Sequence, residues 1–211
     1  MSSAIEPEQR ARDAARGGAG PTAPDGARPG TSLFLTRWLR NPLRMGSVVP
    51  SSRSLGRLIA RHVRAAPDEV VLEIGAGTGA VTRALLDSGV APERVAAVEI
   101  EAEMARHLRR AMPGVRVMED DAFRLDETLP AALRGRVGQV ICGIPLVLLP
   151  LDRQRRFADM VEAVSPGRGF LLYTYCATSP LPWRKLGLRA RREGFTPLNF
   201  PPASVWRYTP A

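Results

Sequence analysis

Cysteine is nearly absent from this chain of 211 residues. The two that occur, Cys142 and Cys176, are too few for a disulfide framework and lack metal-ligand spacing. They suit a reduced compartment, and no metal is expected. Long hydrophobic runs are missing as well. The longest, Val140 to Leu151, spans 12 residues and is broken by Gly143 and two prolines, against the ~20 that cross a bilayer. The first thirty residues hold one large aliphatic, Ile5, and no apolar h-region, so no secretory signal is expected. No internal repeat is visible. What is present, 45% hydrophobic and 24% charged residues, is the balance of a soluble globular protein with one substantial core. Wholesale disorder, a fibrous repeat and a disulfide-built miniprotein are excluded.

Lysine is also scarce: of thirty basic residues only Lys185 is lysine, and the formal net charge is +9. The basicity is local. Residues 1–67 carry eleven arginines and four acids, a net of +7, while the remainder nets +2. The partner at the front is therefore anionic, and nucleic acid and an acidic lipid surface both qualify; a solvated tail is the bland alternative. Residues 1–30, rich in Gly, Ala, Pro and Arg, read as a flexible tail. Residues 31–66 read as N-terminal amphipathic helices, and 67–211 as the core. From Leu33 to Met45, helical spacing puts Phe34, Leu35, Trp38, Leu39 and Met45 on one arc and Arg37, Arg40 and Arg44 opposite, although Leu33 falls among the arginines. A helix lying in a membrane interface needs that pattern; a helix packed on its own domain also produces it. A second helix, Arg53 to Arg64, buries Leu55, Leu58, Ile59 and Val63 and exposes Arg53, Arg57, Arg61 and Arg64. His62, beside that stripe, reads as structural.

Beyond Glu69 the pattern alternates between strands and helices. Strands are expected over Val70–Ile74, Val95–Glu99, Val115–Met118, Val137–Ile141 and Gly169–Cys176. Helices are expected from Ala80 through Asp87, over Glu101–Ala111 and over Arg153–Val164. A basic stretch, Trp183 to Arg192, reads as helical, and two further strands fall around Phe195–Phe200 and Ser204–Tyr208. Repeated βα units imply an α/β fold: a seven-stranded, mostly parallel sheet with helices on both faces. Ligands of such sheets sit beyond the carboxyl ends of the strands.

The chemistry-bearing residues fall there. Glu73-Ile74-Gly75-Ala76-Gly77-Thr78-Gly79 is a glycine loop at the first strand-to-helix turn, where backbone can approach a ligand. Gly75, Gly77 and Ala80, with Glu99 further on, could equally serve a dinucleotide fingerprint. Two features tilt the choice. Glu73 precedes the loop, where a carboxylate helps hold a cationic amino group, directly or through water. Asp120-Asp121-Ala122 follows the third strand, where a carboxylate accepts from an adenine amino group. Three acids after three consecutive strands match an ammonium, a ribose diol and an adenine, which together describe S-adenosyl-L-methionine. Helix capping is the competing explanation for each acid taken singly.

This constellation resembles the class I methyltransferases, whose Rossmann-like fold it implies. VLEIGAGTG is their first motif, Glu99 closes the second and Asp121-Ala122 matches the third. The resemblance implies a cofactor site of Glu73, Gly75, Ala76, Gly77, Gly79, Glu99, Asp121, Ala122 and Gly143. In base-amino methyltransferases and ribosomal adenine dimethylases the fourth-strand motif is Asn or Asp, one residue, Pro, then an aromatic: an acceptor and a stacking ring. Here the run is Gly143-Ile144-Pro145-Leu146, without either, and the helical domain that follows the core of the dimethylases is not expected. Nucleic acid is therefore not expected as a partner.

What remains is similar to the bacterial phospholipid N-methyltransferases. The similarity rests on the arginine-rich start, Gly46-Ser47-Val48-Val49-Pro50-Ser51-Ser52, the Gly-Ile-Pro-Leu run through Leu149-Pro150, and Tyr173-Thr174-Tyr175 before Ser179-Pro180-Leu181-Pro182. It implies stepwise methylation of phosphatidylethanolamine toward phosphatidylcholine by a cytoplasmic protein peripherally attached to the inner face of the cytoplasmic membrane. In that reading residues 31–66 contact anionic lipid and cover the site, through Phe34, Arg37, Trp38, Arg40 and Arg44. Substrate contacts are then expected from Ile144, Pro145, Tyr173 and Tyr175, the last positioning the amine, and from Arg184, Lys185 and Arg189 for the lipid phosphate. An RNA methyltransferase, a methyltransferase of another aminolipid such as ornithine lipid, and a non-catalytic membrane-binding module are the alternatives.

Overall fold

A computed structural model describes residues 53–211 apart from 177 and 200. The expected tail over 1–30, the first amphipathic segment and its residues Phe34, Arg37, Trp38, Arg40 and Arg44 lie outside the described residues. The chain runs α1 (Arg53–Arg61), β1 (Val70–Ile74), α2 (Ala80–Asp87), β2 (Val95–Glu99), α3 (Ala102–Ala111), β3 (Arg116–Glu119), α4 (Leu125–Thr128), β4 (Val137–Cys142), α5 (Leu151–Val164), β5 (Phe170–Thr174), β6 (Leu188–Thr196) and β7 (Ala203–Pro210). The seven strands form one sheet in the order β3-β2-β1-β4-β5-β7-β6. The neighbours from β3 to β5 are parallel; β7 runs antiparallel to both β5 and β6.

Strand alternation sorts the core into two layers. Val70, Leu72 and Ile74 point to the face covered by α4 and α5, where Leu125, Phe157, Met160 and Val161 pack. Val71, Ile141, Leu171 and Val205 point to the other, covered by Leu55 and Ile59 of α1 and Val81 and Leu85 of α2. These central strands are buried on both faces, so they read as continuous apolar runs. Gly56 lets α1 and α2 touch: a Cβ there would lie 2.5 Å from that of Ala84.

Helix α1 stops at Arg61, short of the expected Arg64. The next residues turn away to be bound by a buried arginine. Arg207 of β7 donates to Glu193 Oε1 at 2.6 Å, to Gln139 Oε1 at 3.0 Å and to the His62 carbonyl at 2.5 Å. Glu193 also receives Arg191 and Arg64, and His62 Nδ1 lies 3.6 Å from it, a structural placement. Burial acts to raise the pKa of Glu193, but the bonds from Arg191 and Arg207 outweigh it and hold the carboxyl below its usual range.

The expected helix over Trp183–Arg192 is not formed. Residues Trp183–Leu186 make one short 3-10 turn, closed by Gly187 at φ +67°, and β6 starts at Leu188. Leu188 is buried, Arg189 exposed, Ala190 half-buried and Arg191 exposed. That period-two pattern, masked in sequence by the arginines, is that of a charged edge strand. The strand expected over Phe195–Phe200 ends at Thr196, inside β6, and Ser204–Tyr208 lies within β7.

Candidate cofactor and substrate site

The carboxyl ends of β1, β2, β3 and β4 meet around the glycine loop. Gly75 and Ala76 both donate to the Val98 carbonyl, at 2.9 and 3.2 Å, which ties the loop to β2. Gly75, Gly77 and Gly79 all have left-handed φ, +74°, +54° and +78°, which glycine adopts at little cost. Their surroundings differ. A Cβ on Gly75 would meet Ile144 Cγ1 at 3.0 Å, and one on Gly79 would meet Met112 Cε at 2.3 Å, whereas nothing lies within 4 Å of one on Gly77. The outer glycines serve packing, and the middle one leaves backbone open to approach.

Glu99 is 1% exposed and spans the mouth of this loop. Its Oε2 accepts from the Gly77 N–H at 2.8 Å and its Oε1 from the Glu101 N–H at 3.0 Å. A carboxylate has about four acceptor positions, so a pair of hydroxyls can still be received. Asp121 caps a 3-10 turn: its Oδ1 accepts from the Phe123 N–H at 2.9 Å. Capping occupies one oxygen and leaves the other for an amino group. Glu99, Asp121 and Ala122 line one cleft together with Gly75, Gly143 and Ile144.

Glu73 is placed differently. It is 2% exposed, beneath the loop, and accepts from Thr82 Oγ1 at 2.5 Å. Burial pushes its carboxyl up to about 8, the Thr82 bond opposes this and the charge of Glu99 adds to it. It is not among the residues lining the cleft.

The turn after β4 presses on the loop. Gly143 donates to the Ile74 carbonyl at 2.8 Å, and a Cβ on it would sit 2.6 Å from the Gly75 carbonyl oxygen and 2.9 Å from Tyr173 Oη. Ile144 is buried against Gly75 and Pro145 lines the cleft, whereas Leu146 turns into the core at 1% exposure. Tyr173 and Tyr175 share the sheet face that α1 covers. Tyr173 reaches Gly143. Tyr175 is half-buried; burial raises its phenol pKa, with a hydrogen bond to Asn199 opposing.

The cations expected to meet a lipid phosphate are not gathered here. Arg189 pairs with Thr209 near the start of β6, at the end of the sheet opposite the glycine loop. Arg184 and Lys185 lie exposed in the turn before it, Arg184 over the Trp183 ring at 4.4 Å.

Sequence reading missed Ile100, Phe123 and Arg153, which also line the cleft. Ile100 carried a signal, an aliphatic set between two acids at the end of a strand. Arg153 carried none among so many arginines. Its guanidinium lies 4.0 Å from the centroid of the Phe123 ring, and its Nε is buried with no partner among the described residues. An orphaned donor, an open glycine backbone, a carboxylate with spare acceptor positions and a second acid form a donor set that fits S-adenosylmethionine.

Residues 71–167 match the family model described as a methyltransferase domain. An ornithine lipid N-methyltransferase of Singulisphaera acidiphila is 29% identical over 182 residues, 82% of this chain and 93% of that protein. The ribosomal RNA small subunit methyltransferase A of Bordetella pertussis is 39% identical over 85 residues, 39% of this chain but only 31% of that one. The chain thus matches about a third of that relative's length. Among solved structures, a Burkholderia thailandensis 1,6-didemethyltoxoflavin-N1-methyltransferase with bound S-adenosylhomocysteine superimposes with TM-score 0.56 at 17% identity, covering 90% of this chain and 94% of that one. TrmN from Thermus thermophilus gives TM-score 0.55 at 19% identity, over 83% and 53%. These likenesses concern the fold, which is the Rossmann-like methyltransferase fold. Residues 71–167 thus form a methyltransferase domain of the class I, S-adenosylmethionine-dependent fold.

Proposed function

We propose that this S-adenosylmethionine-dependent methyltransferase N-methylates the primary amine of a membrane aminolipid. The observation that carries the reading is the turn Gly143–Leu146: it lines the cleft with backbone, an aliphatic and a proline, and its Leu146 is turned inward. A nucleobase amine would find neither an acceptor nor a stacking ring there. An uncharged wall suits an alkylamine attached to an apolar body. The relative from Singulisphaera, aligned over nearly its whole length, bears the name of an ornithine lipid N-methyltransferase and favours that headgroup. Phosphatidylethanolamine, taken stepwise toward phosphatidylcholine, is the second reading, favoured by the motifs around Gly143 and Tyr173.

The cofactor supplies a methyl group on a sulfonium centre. The chain's own task is to hold a neutral amine in line with it. A primary alkylamine is mostly protonated at neutral pH, with lysine near ~10.4 as reference, so a proton must leave first, to a side chain or through water. Tyr173, whose hydroxyl reaches Gly143, is better placed than Tyr175 to offer an oxygen and a ring face to the amine. Methylation itself needs no phosphate clamp, and the positions of Arg184, Lys185 and Arg189 favour none. The test is transfer of labelled methyl groups to vesicles containing ornithine lipid or phosphatidylethanolamine, with structured RNA as rival acceptor. Label in one of the two lipids fixes the headgroup and the number of methyl groups; label in RNA alone overturns the reading.

A further inference from the structure

Six large hydrophobic side chains stand exposed among the described residues: Ile100, Val147, Leu148, Leu151, Phe195 and Leu198. Single exposed aliphatics need no explanation, but their grouping does. All six lie at one end of the molecule. Ile100 follows β2, Val147 and Leu148 follow β4, and Leu151 opens α5. Phe195 pairs with Ser204, which pairs with Thr174 at the carboxyl end of β5, and Leu198 lies in the turn beyond β6. This is the end that holds the cofactor cleft, and Ile100 borders both. Leu198 is 81% exposed, more than any of the others.

The surroundings indicate what covers this rim. Helix α1 begins at it, with Ser54 Oγ donating to the Leu198 carbonyl at 3.2 Å. The solvent side of α1 presents Arg53, Arg57 and Arg61, and the helix contains no acid. The sequence before Arg53 repeats the pairing, with Phe34, Leu35, Trp38 and Leu39 set against Arg37, Arg40 and Arg44. Where Phe195 and Leu198 meet α1, apolar side chains flanked by cations are complementary to a surface that is anionic outside and apolar beneath, which is an acidic bilayer, while Glu101 and Asp152 adjoin Ile100 and Leu151 at the far side. Nucleic acid would meet the arginines but leave Leu148, Phe195 and Leu198 without a partner.

We infer that the carboxyl-end rim is the face on which the protein rests on a lipid surface, so that the aminolipid enters the cleft from the interface; this rests on the aminolipid reading above. The test compares L148S/L151S and F195S/L198S with the unaltered chain, by flotation with vesicles of phosphatidylethanolamine, ornithine lipid and phosphatidylglycerol. Each pair is expected to weaken vesicle binding about tenfold while leaving calorimetric affinity for S-adenosylhomocysteine unchanged. Methyl transfer to vesicle lipid falls in parallel, whereas transfer to short-chain aminolipid below its critical micelle concentration is retained. Unchanged vesicle binding in both variants overturns the inference. So does a lowered melting temperature of the lipid-free variants, which identifies the rim as covered by the chain itself. If the unaltered protein binds vesicles through the rim yet methylates neither lipid form, the aminolipid reading falls and the docking face stands.

Discussion

Replacing Glu99 by alanine tests the centre of the site. The carboxylate, buried at 1% exposure, accepts from the N–H groups of Gly77 and Glu101 at 2.8 and 3.0 Å. Both are bonds to a charged acceptor, and truncation leaves two backbone donors to be met by water, a cost of about 2–4 kcal/mol. In a chain of this size that lowers the melting temperature by roughly 5–15 °C. If the same carboxylate receives the ribose diol, affinity for S-adenosylhomocysteine falls a further ~10–100-fold at any temperature where the variant is folded. Glu99→Gln separates the two effects. Its single carbonyl oxygen serves one of the two N–H groups and its amide opposes the other, so stability lies between, while affinity stays close to that of the alanine variant. Thermal melts and titration calorimetry read both quantities. An alanine variant that melts within about 2 °C of the parent and binds within about threefold would refute the assignment.

Gly143→Ala places a Cβ 2.6 Å from the Gly75 carbonyl oxygen and 2.9 Å from Tyr173 Oη; a shift of the glycine loop should weaken S-adenosylhomocysteine binding by more than about tenfold at a stability cost of about 1–3 kcal/mol, read by calorimetry and melting. Glu73 binds its proton more readily folded, at about 8, than at its ordinary 4.5. Its contribution to stability is therefore fully present below pH 4.5 and lost as pH rises through 8. Glu73→Gln, which keeps an acceptor for Thr82, should flatten that part of the melting temperature–pH profile, and parallel profiles would show that the burial argument is wrong. Arg153→Met removes the orphaned Nε from the cleft; S-adenosylhomocysteine should bind about 5–10-fold more weakly with little change in melting temperature, and equal affinity would mean that solvent already satisfies that donor.

The parallel half of the fold was legible because each of its strands obeys one simple rule. Val70–Ile74 and Val95–Glu99 are short apolar runs bounded by turns, and both were placed to the residue. The glycine loop and the acids at the carboxyl ends of β2 and β3 were legible for the same reason: topology alone brings strand ends together. The edge strand β6 obeyed no such rule. In Leu188–Thr196 the outward positions are arginines, which suit a helix surface as well as an edge strand, and only pairing with β7 decides between them. Glu73 shows a second limit. Its place in the motif was clear, but the path of its side chain under α2 to Thr82 depends on three-dimensional packing. Arg153 shows a third, since an orphaned donor exists only in relation to what surrounds it.

The Arg207 staple also sets an order of assembly. Its partners are the His62 carbonyl, Gln139 and Glu193, the first of them 145 positions away in the chain. During synthesis the segment around residue 62 leaves the ribosome well before β6 and β7, and nothing else supplies the guanidinium that secures it. Contacts of such long range close late in folding. Helix α1 itself packs through Leu55, Ile59 and Gly56 on elements made earlier, but the His62 carbonyl just after it gains its arginine only when the last strand has been made, and a nascent chain cut short before Arg207 would hold a nearly complete cofactor loop with that end of α1 untied.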